Sequence, residues 1–273
     1  MPSDDLETVS LPVTLTIAGS DSGGGAGIQA DLKTFQAFRC FGTSAITAIT
    51  AQNTQGVSAV QGIDPDVVAA QITAVLSDFP VAAAKTGMLF STQIIESISE
   101  IWRVRGKSIP LVIDPVMVAS TGARLLRSDA ETALSEFLRL GQLITPNLPE
   151  AEILLGHAIN GESGMKEAAL ELYEKFGTAV LVKGGHRLGL DKRILDVLYD
   201  GVKFLTFSSE RLPEKNTHGT GCTLSAAITA NLAKGLGLNE AVASARDYLI
   251  GAIRNAPNLG AGFGPLNHQW QDL

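Results

Sequence analysis

Short apolar runs alternate with amphipathic segments along most of the chain, and this alternation constrains the fold more than any other feature. Residues 13–18 form an apolar, β-branched run that predicts a buried strand, and residues 28–38 repeat apolar side chains at the spacing of one helix face. Strands that alternate with helices imply a mainly parallel sheet covered by helices on both faces. The sequence therefore predicts an α/β fold with three αβα layers.

The other predicted elements follow one another without an internal repeat or a linker. Further strands are predicted at residues 43–51, 57–63, 81–85, 110–113, 143–144 and 179–183, and further helices at 64–76, 91–104, 128–138, 149–155, 165–176, 222–233 and 238–255. Two apolar runs that meet at Asp200-Gly201 predict a small β-hairpin element over residues 194–207. We expect one domain over residues 11–273, after a flexible tail at residues 1–10.

The composition argues against several classes of protein. A formal net charge of -7 over 273 residues is opposite in sign to the basic surface that a nucleic-acid-binding protein needs. Two cysteines are too few for a disulfide framework, and no run of about 18 apolar residues could cross a membrane. Residues 1–10 lack the basic start and apolar stretch of a signal peptide. We therefore expect a cytoplasmic protein that binds neither nucleic acid nor a membrane.

Ligands of parallel α/β folds bind beyond the carboxyl ends of the strands, so the loops that follow strands are the candidate sites. The first such loop, residues 19–27, begins with Gly19 and holds five glycines, which permit close approach of the backbone to a ligand. Its spacing fits neither the Walker phosphate loop nor the dinucleotide fingerprint. From the residues alone, the loop is either a ligand cradle or a flexible turn. Asp31, one helical turn further on, is either a solvated carboxylate or an acceptor that faces the ligand.

Two more strand ends carry side chains suited to binding. Gln52 has an amide that both donates and accepts, so it could read the edge of a nitrogen heterocycle, although a turn residue is an equally simple interpretation. Lys183 ends an apolar strand and precedes two glycines and His186, which places a cation beside an open backbone. This arrangement suits nucleotide phosphates, or else the lysine simply extends into solvent.

Acidic and amide side chains follow two neighbouring strands. Asp114 ends the strand predicted at 110–113, and Asn147 and Glu150 follow the strand at 143–144. A carboxylate and an amide three residues apart on a helix can hold a hydrated magnesium ion, which takes few protein ligands. The same pair is also a favoured helix cap, and the two interpretations are compatible.

The most specific segment is residues 216–223, which lead directly into an apolar helix. Gly219 and Gly221 let the backbone curl around Thr220, so that several N–H groups and the helix dipole could form an anion hole for a transferring phosphoryl group. Cys222 lies at the helix start, where we expect a lowered thiol pKa and a thiolate able to take a proton from a substrate hydroxyl. Alternatively, Cys222 is a small buried apolar side chain, or it pairs with His218 in a hydrolase.

Seven motifs together resemble the hydroxymethylpyrimidine/phosphomethylpyrimidine kinases of thiamine biosynthesis, a family of the ribokinase-like superfamily. In order along the chain they are AGSDSGGGAGIQADLKTF, ITAQNTQGV, KTGML, DPVM, ITPNLPEAE, VKGGH and NTHGTGCTLSAA. The resemblance runs from about Val13 to His268, and seven motifs in consistent order are much more specific than any one of them. It implies a ribokinase-like fold. The final GAGFGPLNH departs slightly from the family's GHGxGPxxH form, and no role is assigned to it.

The resemblance implies an enzyme that uses ATP and Mg2+ to phosphorylate 4-amino-5-hydroxymethyl-2-methylpyrimidine, and then its monophosphate to the pyrophosphate. The implied substrate-binding residues are Gln52, Asp31, Gly19, Met88 and Val116. Cys222 occupies the base position, where the wider superfamily usually has aspartate, beside an anion hole of Gly219, Thr220 and Gly221. The residues expected near the nucleotide are Lys183, Asn147, Thr217 and His218, and those expected near the metal are Glu150 and Asp114.

Three other functions remain open at this point. A pyridoxal or pyridoxine kinase of the same fold would act on a similar hydroxymethyl-bearing nitrogen ring. A Cys/His hydrolase would form an acyl-enzyme without ATP, and a non-catalytic sensor would bind the pyrimidine without turnover. The expected partners are the pyrimidine and ATP, and the expected assembly is a homodimer, although the residues themselves do not define an oligomeric state.

Overall fold

The structure is a computed structural model that describes residues 11–117, 125–185, 193–212 and 216–272. The tail predicted at residues 1–10 and the position of His186 lie outside the described residues. Among the described helices, none is both long and apolar enough to cross a membrane.

Nine described strands form one sheet in the order β3-β2-β1-β4-β5-β6-β7-β8-β9. They are β1 (Val13–Asp21), β2 (Phe41–Asn53), β3 (Gly56–Gly62), β4 (Val81–Thr86), β5 (Leu111–Ile113), β6 (Leu143–Ile144), β7 (Ala179–Lys183), β8 (Arg193–Tyr199) and β9 (Phe204–Glu210). Neighbouring strands pair in parallel through the middle of the sheet, in the spatial order β2-β1-β4-β5-β6-β7. β3 at one edge and the β8–β9 hairpin at the other are antiparallel. The predicted parallel sheet and the predicted hairpin are both confirmed.

Helices cover both faces of this sheet. They are α1 (Gly27–Ala37), α2 (Pro65–Asp78), α3 (Thr92–Ile101), α4 (Glu131–Leu138), α5 (Leu148–Leu155), α6 (Gly161–Phe176), α7 (Thr220–Ala233) and α8 (Leu238–Arg254). One apolar core joins the sheet to α2 through α6, and a second joins its other face to α7 and α8. α1 packs against α7 on that second face. The predicted three-layer αβα arrangement is therefore confirmed.

Two predicted helices continue or begin with a turn of a different helical type. The helix predicted over residues 91–104 ends as an α-helix at Ile101 and continues as a π-helical turn, Trp102–Gly106. Gly106 lies directly against the indole of Trp102, at a distance that leaves no room for a Cβ atom. The helix predicted to start with a Ser128 cap begins instead with a 3-10 turn, because the N–H of Ala130 bonds three residues back to Arg127.

The topology brings the candidate loops to one edge of the sheet. β1 lies between β2 and β4, so the chain leaves β1 toward one side of the sheet and later continues on the other side. Such a reversal of strand order opens a crevice at the carboxyl ends of the strands. α7 is buried along most of its length. Its first turn lies against the side chains of Asp114, which follows β5, and Lys183, which ends β7.

A buried ion pair supports the far end of the sheet. Arg246 Nε donates to Asp196 Oδ2 at 3.1 Å, and the N–H of Gly184 donates to the other carboxylate oxygen at 2.8 Å. The guanidinium also lies over the Phe207 ring, 5.3 Å from its centre. Burial raises the pKa of Asp196, although the charge of Arg246 lowers it. Arg246 thus stabilises a carboxylate that the fold has removed from water.

Arg246→Met is expected to lower the free energy of unfolding by about 3–5 kcal/mol, because it leaves a buried carboxylate without its cation. Urea unfolding at pH 8 and pH 5 measures this, and the loss should be smaller at pH 5, where protonation of Asp196 removes the unpaired charge. Arg139→Met is the matched control: Arg139 also lies over a phenylalanine, Phe176, but its ion pair with Glu136 is exposed. Equal losses in the two variants would contradict the assigned role of burial.

Candidate active site

Asp21, the last residue of β1, organises the glycine-rich loop. Its carboxylate accepts the N–H of Gly23 at 2.8 Å, of Gly25 at 3.1 Å and of Ala26 at 2.8 Å. Burial alone would raise the pKa of Asp21, but hydrogen bonds from His218 and from the backbone amides of Gly23 and Ala26 outweigh it and lower the pKa. The loop is therefore held in one conformation around a carboxylate. The role of Asp21 was not predicted, although an aspartate shortly before consecutive glycines is typical of an Asx-turn.

The predicted substrate residues Gly19 and Met88 lie together. A Cβ atom at Gly19 would be 3.1 Å from the Met88 sulfur, so the glycine leaves room for the methionine. Thr47 donates to the Met88 carbonyl at 2.6 Å and fixes this turn after β4. Val116, another predicted substrate residue, is half-buried in the loop after β5, where its N–H bonds to the carbonyl of Asp114.

Gln52 and His218 meet at the glycine-rich loop. The backbone of Gln52 exchanges two hydrogen bonds with the Ser22 hydroxyl, at 2.7 and 2.8 Å. Its side-chain Nε2 lies 3.3 Å from His218 Nε2, which in turn lies 2.8 Å from Asp21 Oδ2. His218 was predicted to lie near the nucleotide; in the structure its buried ring packs against the glycine-rich loop beside Gln52, a predicted substrate residue.

Asp31 is not a solvated carboxylate, and its contact with the substrate stays a prediction. Its carboxylate is fully buried, accepting from Lys85 Nζ at 2.8 Å and from the Thr16 hydroxyl at 2.6 Å. Burial raises the pKa of Asp31, although the charge of Lys85 lowers it. Sequence reasoning missed Lys85, because a lysine in an otherwise apolar strand gives no sign of its partner 54 residues away.

Cys222 lies where the first turns of α7 and α1 meet, and the nearby N–H of Gly27 lowers the pKa of its thiol. Sequence analysis predicted a lowered thiol pKa at this helix start, and the structure shows the opposite. Burial raises the pKa of Cys222 to about 11, although the nearby Lys85 lowers it. Asp31 and Asp114 add to the increase. Cys222 as a whole is half-buried, and the burial of its thiol is the largest contribution to the raised pKa.

The backbone at the start of α7 has the shape expected of an anion hole. Gly219 has φ +84°, and a Cβ atom there would collide with the carbonyl of Gly25. The N–H of Thr220 turns back to the half-buried Thr217 at 3.3 Å. The N–H groups of Gly221 and Cys222 belong to the first helical turn, which has no intrahelical acceptors. These two donors, at the positive end of the helix dipole, are suited to bind an anion.

Lys183 and Asp114 border this anion hole. Lys183 Nζ lies 2.8 Å from Asp114 Oδ1, and Thr145 donates to the same oxygen at 3.1 Å. A Cβ atom at Gly221 would be 3.3 Å from Asp114 Oδ2 and 3.4 Å from Lys183 Nζ. A glycine at this position therefore lets the two charged side chains approach the first turn of α7. The side chains that follow β5 and end β7 thus meet at the start of α7, and their roles toward metal and nucleotide stay predictions.

Asn147 and Glu150 form the capping box that the sequence suggested. Asn147 Oδ1 accepts the N–H of Glu150, and Glu150 Oε2 accepts the N–H of Asn147, both at 2.9 Å. Burial raises the pKa of Glu150 to about 7, although Lys183 lowers it and Asp114 raises it further. This carboxyl group therefore gains its charge near neutral pH, close to two other charged side chains.

The Glu150 and Asp114 carboxylates fit a magnesium ion in type, because Mg2+ prefers oxygen ligands and is commonly held by one or two carboxylates plus substrate phosphates. Within the described ranges, no cluster of three or more His, Cys, Asp or Glu side chains could hold a metal by itself. A site that depends on bound phosphates does not require such a cluster. Magnesium therefore stays a prediction for this pair.

The C-terminal segment, residues 260–268, joins two parts of the site. The N–H of Phe263 bonds to the carbonyl of Thr54 at 2.9 Å, in the turn that follows Gln52. One residue later, the Gly264 carbonyl accepts the N–H of His218 at 3.2 Å. The segment to which sequence analysis assigned no role thus ties the β2–β3 turn to the loop before α7.

Comparison with known proteins identifies the family. The model of the phosphomethylpyrimidine kinase family matches residues 21–267. The chain belongs to this family. A hydroxymethylpyrimidine/phosphomethylpyrimidine kinase of Rhizobium meliloti is 49% identical over 95% of this chain and 99% of its own length. The thiamine biosynthesis bifunctional protein of Geobacter sulfurreducens is 51% identical over 93% of this chain, which spans only 51% of that longer protein.

Solved structures of similar chains share the fold. A pyridoxal kinase from Bacillus subtilis, in a complex with ADP, superposes with a TM-score of 0.88 at 39% identity and covers 97% of this chain and 100% of its own. A phosphomethylpyrimidine kinase from Clostridium difficile gives a TM-score of 0.78 at 43% identity, covering 89% of this chain and 100% of its own. The predicted ribokinase-like fold is confirmed, and so is the predicted class of enzyme: a small-molecule kinase.

Proposed function

We propose that this kinase transfers the γ-phosphoryl group of ATP to 4-amino-5-hydroxymethyl-2-methylpyrimidine, and then phosphorylates the monophosphate to the pyrophosphate for thiamine biosynthesis. The observation that carries the proposal is the first turn of α7. Its N–H groups lie beside the Lys183–Asp114 pair, and the same turn carries the Cys222 thiol. An acceptor for a hydroxyl proton, an anion hole and a phosphate-neutralising cation are therefore neighbours at the start of α7.

In the first step, the hydroxymethyl oxygen attacks the γ-phosphorus, and the bond from that phosphorus to the β–γ bridging oxygen breaks to release ADP. Cys222, as thiolate, accepts the hydroxyl proton and forms no covalent intermediate. Lys85 stabilises that thiolate, since its charge lowers the Cys222 pKa. The N–H groups of Gly221 and Cys222 hold the transferring group, which is the main contribution a protein can make to phosphoryl transfer.

On the nucleotide side, Lys183 neutralises the phosphates. Glu150 and Asp114 would hold magnesium, which neutralises phosphate charge when bound, and the Asn147 cap keeps Glu150 in place. The Thr217 carbonyl accepts the N–H of Thr220 and so closes the turn before α7. On the substrate side, Gly19, Met88 and half-buried Val116 form the apolar wall, and Gln52 reads the ring edge; these positions follow the family resemblance.

The second step differs in its nucleophile. An oxygen of the pyrimidine monophosphate is already ionised at neutral pH, so no hydroxyl proton has to be removed. The anion hole, Lys183 and the metal pair serve both steps, whereas Cys222 serves mainly the first. The two steps therefore separate the role of the base from the role of charge stabilisation.

The function is tested by incubating the protein with ATP, magnesium and the hydroxymethylpyrimidine and following the products by mass. We expect the monophosphate first and the pyrophosphate after it, and no mass adduct on Cys222. Turnover of pyridoxal without turnover of the pyrimidine would favour the pyridoxal kinase function, which the TM-score of 0.88 with the Bacillus subtilis enzyme makes the main alternative. Binding of the pyrimidine without any turnover would favour a sensor.

Two further predictions accompany this proposal. We expect the enzyme to act in the cytoplasm, where ATP is available, and to assemble as a homodimer. Fractionation of cells tests the first, and the molar mass of the purified protein by light scattering tests the second.

A further inference from the structure

One ring nitrogen of His218 lies between two polar side chains. His218 Nε2 is 2.8 Å from Asp21 Oδ2 and 3.3 Å from Gln52 Nε2. The imidazole is buried, and a Cβ atom at Gly25 would overlap it, so the loop is built around this ring. A nitrogen carries either a proton or a free lone pair, so it cannot donate to one neighbour and accept from the other.

The Asp21 contact decides the protonation of this nitrogen. The Asp21 carboxylate accepts three backbone N–H groups of the glycine-rich loop, and its pKa is lowered, so it is ionised and can only accept. His218 Nε2 must therefore bear a hydrogen and donate it to Asp21. The alternative Nδ1–H tautomer would place a lone pair against a carboxylate in a buried site, which is electrostatically unfavourable.

This proton then fixes the orientation of the Gln52 amide. An Nε2–H group of His218 cannot accept from the amide nitrogen of Gln52, but it can share its hydrogen with the amide oxygen. The oxygen and nitrogen of an amide are told apart by their hydrogen bonds, and a half-turn exchanges them. After that exchange, the amide nitrogen donates to the Thr50 hydroxyl, which lies 3.1 Å from the other end of the amide. Thr50 still donates to the Ser20 carbonyl at 3.0 Å, so every partner is satisfied.

We propose that His218 is a positioning residue that determines substrate specificity by holding the Gln52 amide with its oxygen toward His218 and its nitrogen toward Thr50. The proposal rests on the proposed function, in which Gln52 reads the pyrimidine. An aminopyrimidine edge presents an amino donor beside a ring-nitrogen acceptor, and the corresponding 4-oxo ring presents an acceptor beside a donor. An amide held in one orientation pairs with only one of these patterns, whereas an amide free to turn adapts to both.

The test compares two substrates in three proteins. The substrates are the 4-amino pyrimidine and its 4-oxo analogue, and the proteins are the wild type, His218→Leu and His218→Gln. In His218→Leu, we expect the preference in kcat/KM for the amino ring to fall by about tenfold, the size of one lost hydrogen bond, while kcat at saturation changes less than about threefold. His218→Gln keeps a side-chain N–H donor and should retain most of the preference. Equal losses on both substrates, or a lower kcat with unchanged preference, would overturn the proposal.

A second measurement does not depend on turnover. In protein labelled with 15N at histidine, the ring nitrogen and proton shifts report the tautomer of His218, assigned by the signal that disappears in His218→Gln. An Nε2–H signal is expected, and an Nδ1–H tautomer would overturn the inference whatever the enzyme phosphorylates. If the wild type phosphorylates pyridoxal alone, the proposed substrate is wrong, while the tautomer still decides whether His218 orients Gln52. A wrong substrate and a wrong role for His218 therefore give different results.

Discussion

Cys222→Ser is expected to lower kcat of the first phosphorylation by about 10²–10⁴-fold, the usual contribution of a positioned general base. Serine is close to cysteine in size, but its hydroxyl is a much weaker acid and does not supply the basic anion. The second phosphorylation should change less than about tenfold, because its nucleophile is already an anion. Separate assays that start from the pyrimidine and from its monophosphate measure the two effects. A similar loss in both steps would contradict the assignment of Cys222 as the base of the first step.

The raised pKa of Cys222 gives this prediction a pH dependence. With a pKa of about 11, the thiol is protonated in most molecules at neutral pH, and the thiolate fraction rises about tenfold per pH unit. The kcat/KM of the first step should therefore rise with pH between about 7 and 9, and the rate of Cys222 alkylation should rise in parallel. Cys40→Ala is the matched control: Cys40 is buried between α1 and α7, away from the crevice, and its loss should leave this pH profile unchanged.

The sequence predicted the order and type of the elements well, because each depends on a local pattern of apolar residues. It did not predict how β2 and β3 pair at their edge of the sheet. The apolar runs at 43–51 and 57–63 indicate two strands, but nothing local shows that β2 extends to Asn53 and turns back at once into antiparallel β3. The π-helical turn after Ile101 was also missed, since it depends on how Gly106 packs against Trp102.

The candidate site was predictable where its chemistry is carried by the backbone. The glycines at 219 and 221 and the Asn147–Glu150 cap leave signatures within a few residues. The buried charge pairs leave none, because Lys85 is 54 residues from Asp31 and His218 is 197 residues from Asp21.

The error about Cys222 has the same origin as these missed pairs. A helix start suggests a lowered thiol pKa, but the amount of water left around the sulfur is a property of the folded protein. In the structure, burial outweighs the charge of Lys85 and the nearby N–H of Gly27.

Lys183→Met is expected to lower kcat of both phosphorylations by about 10²–10³-fold. Removal of one preorganised charge or donor from a phosphoryl-transfer or oxyanion site typically has an effect of this size. Because Lys183 Nζ lies beside Gly221 and pairs with Asp114, its cation faces the region where charge accumulates on the transferring group. Equal losses in the two steps are the signature of a group that acts on the phosphates, whereas Cys222→Ser should separate the steps. Assays at saturating ATP and magnesium measure the change in kcat separately from any loss of nucleotide affinity.

Lys183→Met should also change the pH dependence of the magnesium requirement, which loss of a merely structural lysine would not do. Lys183 lowers the pKa of Glu150, which burial holds near 7, so its removal should raise that pKa and shift the magnesium dependence of the reaction to higher pH. Lys183→Arg keeps the charge and should retain the pH dependence even where its larger head group lowers kcat. Lys203→Met, in the exposed turn of the β8–β9 hairpin, is the control for loss of a lysine outside the site. If the magnesium requirement of Lys183→Met kept the pH dependence of the wild type, Lys183 and Glu150 would not be coupled. The lysine would then act on the nucleotide alone.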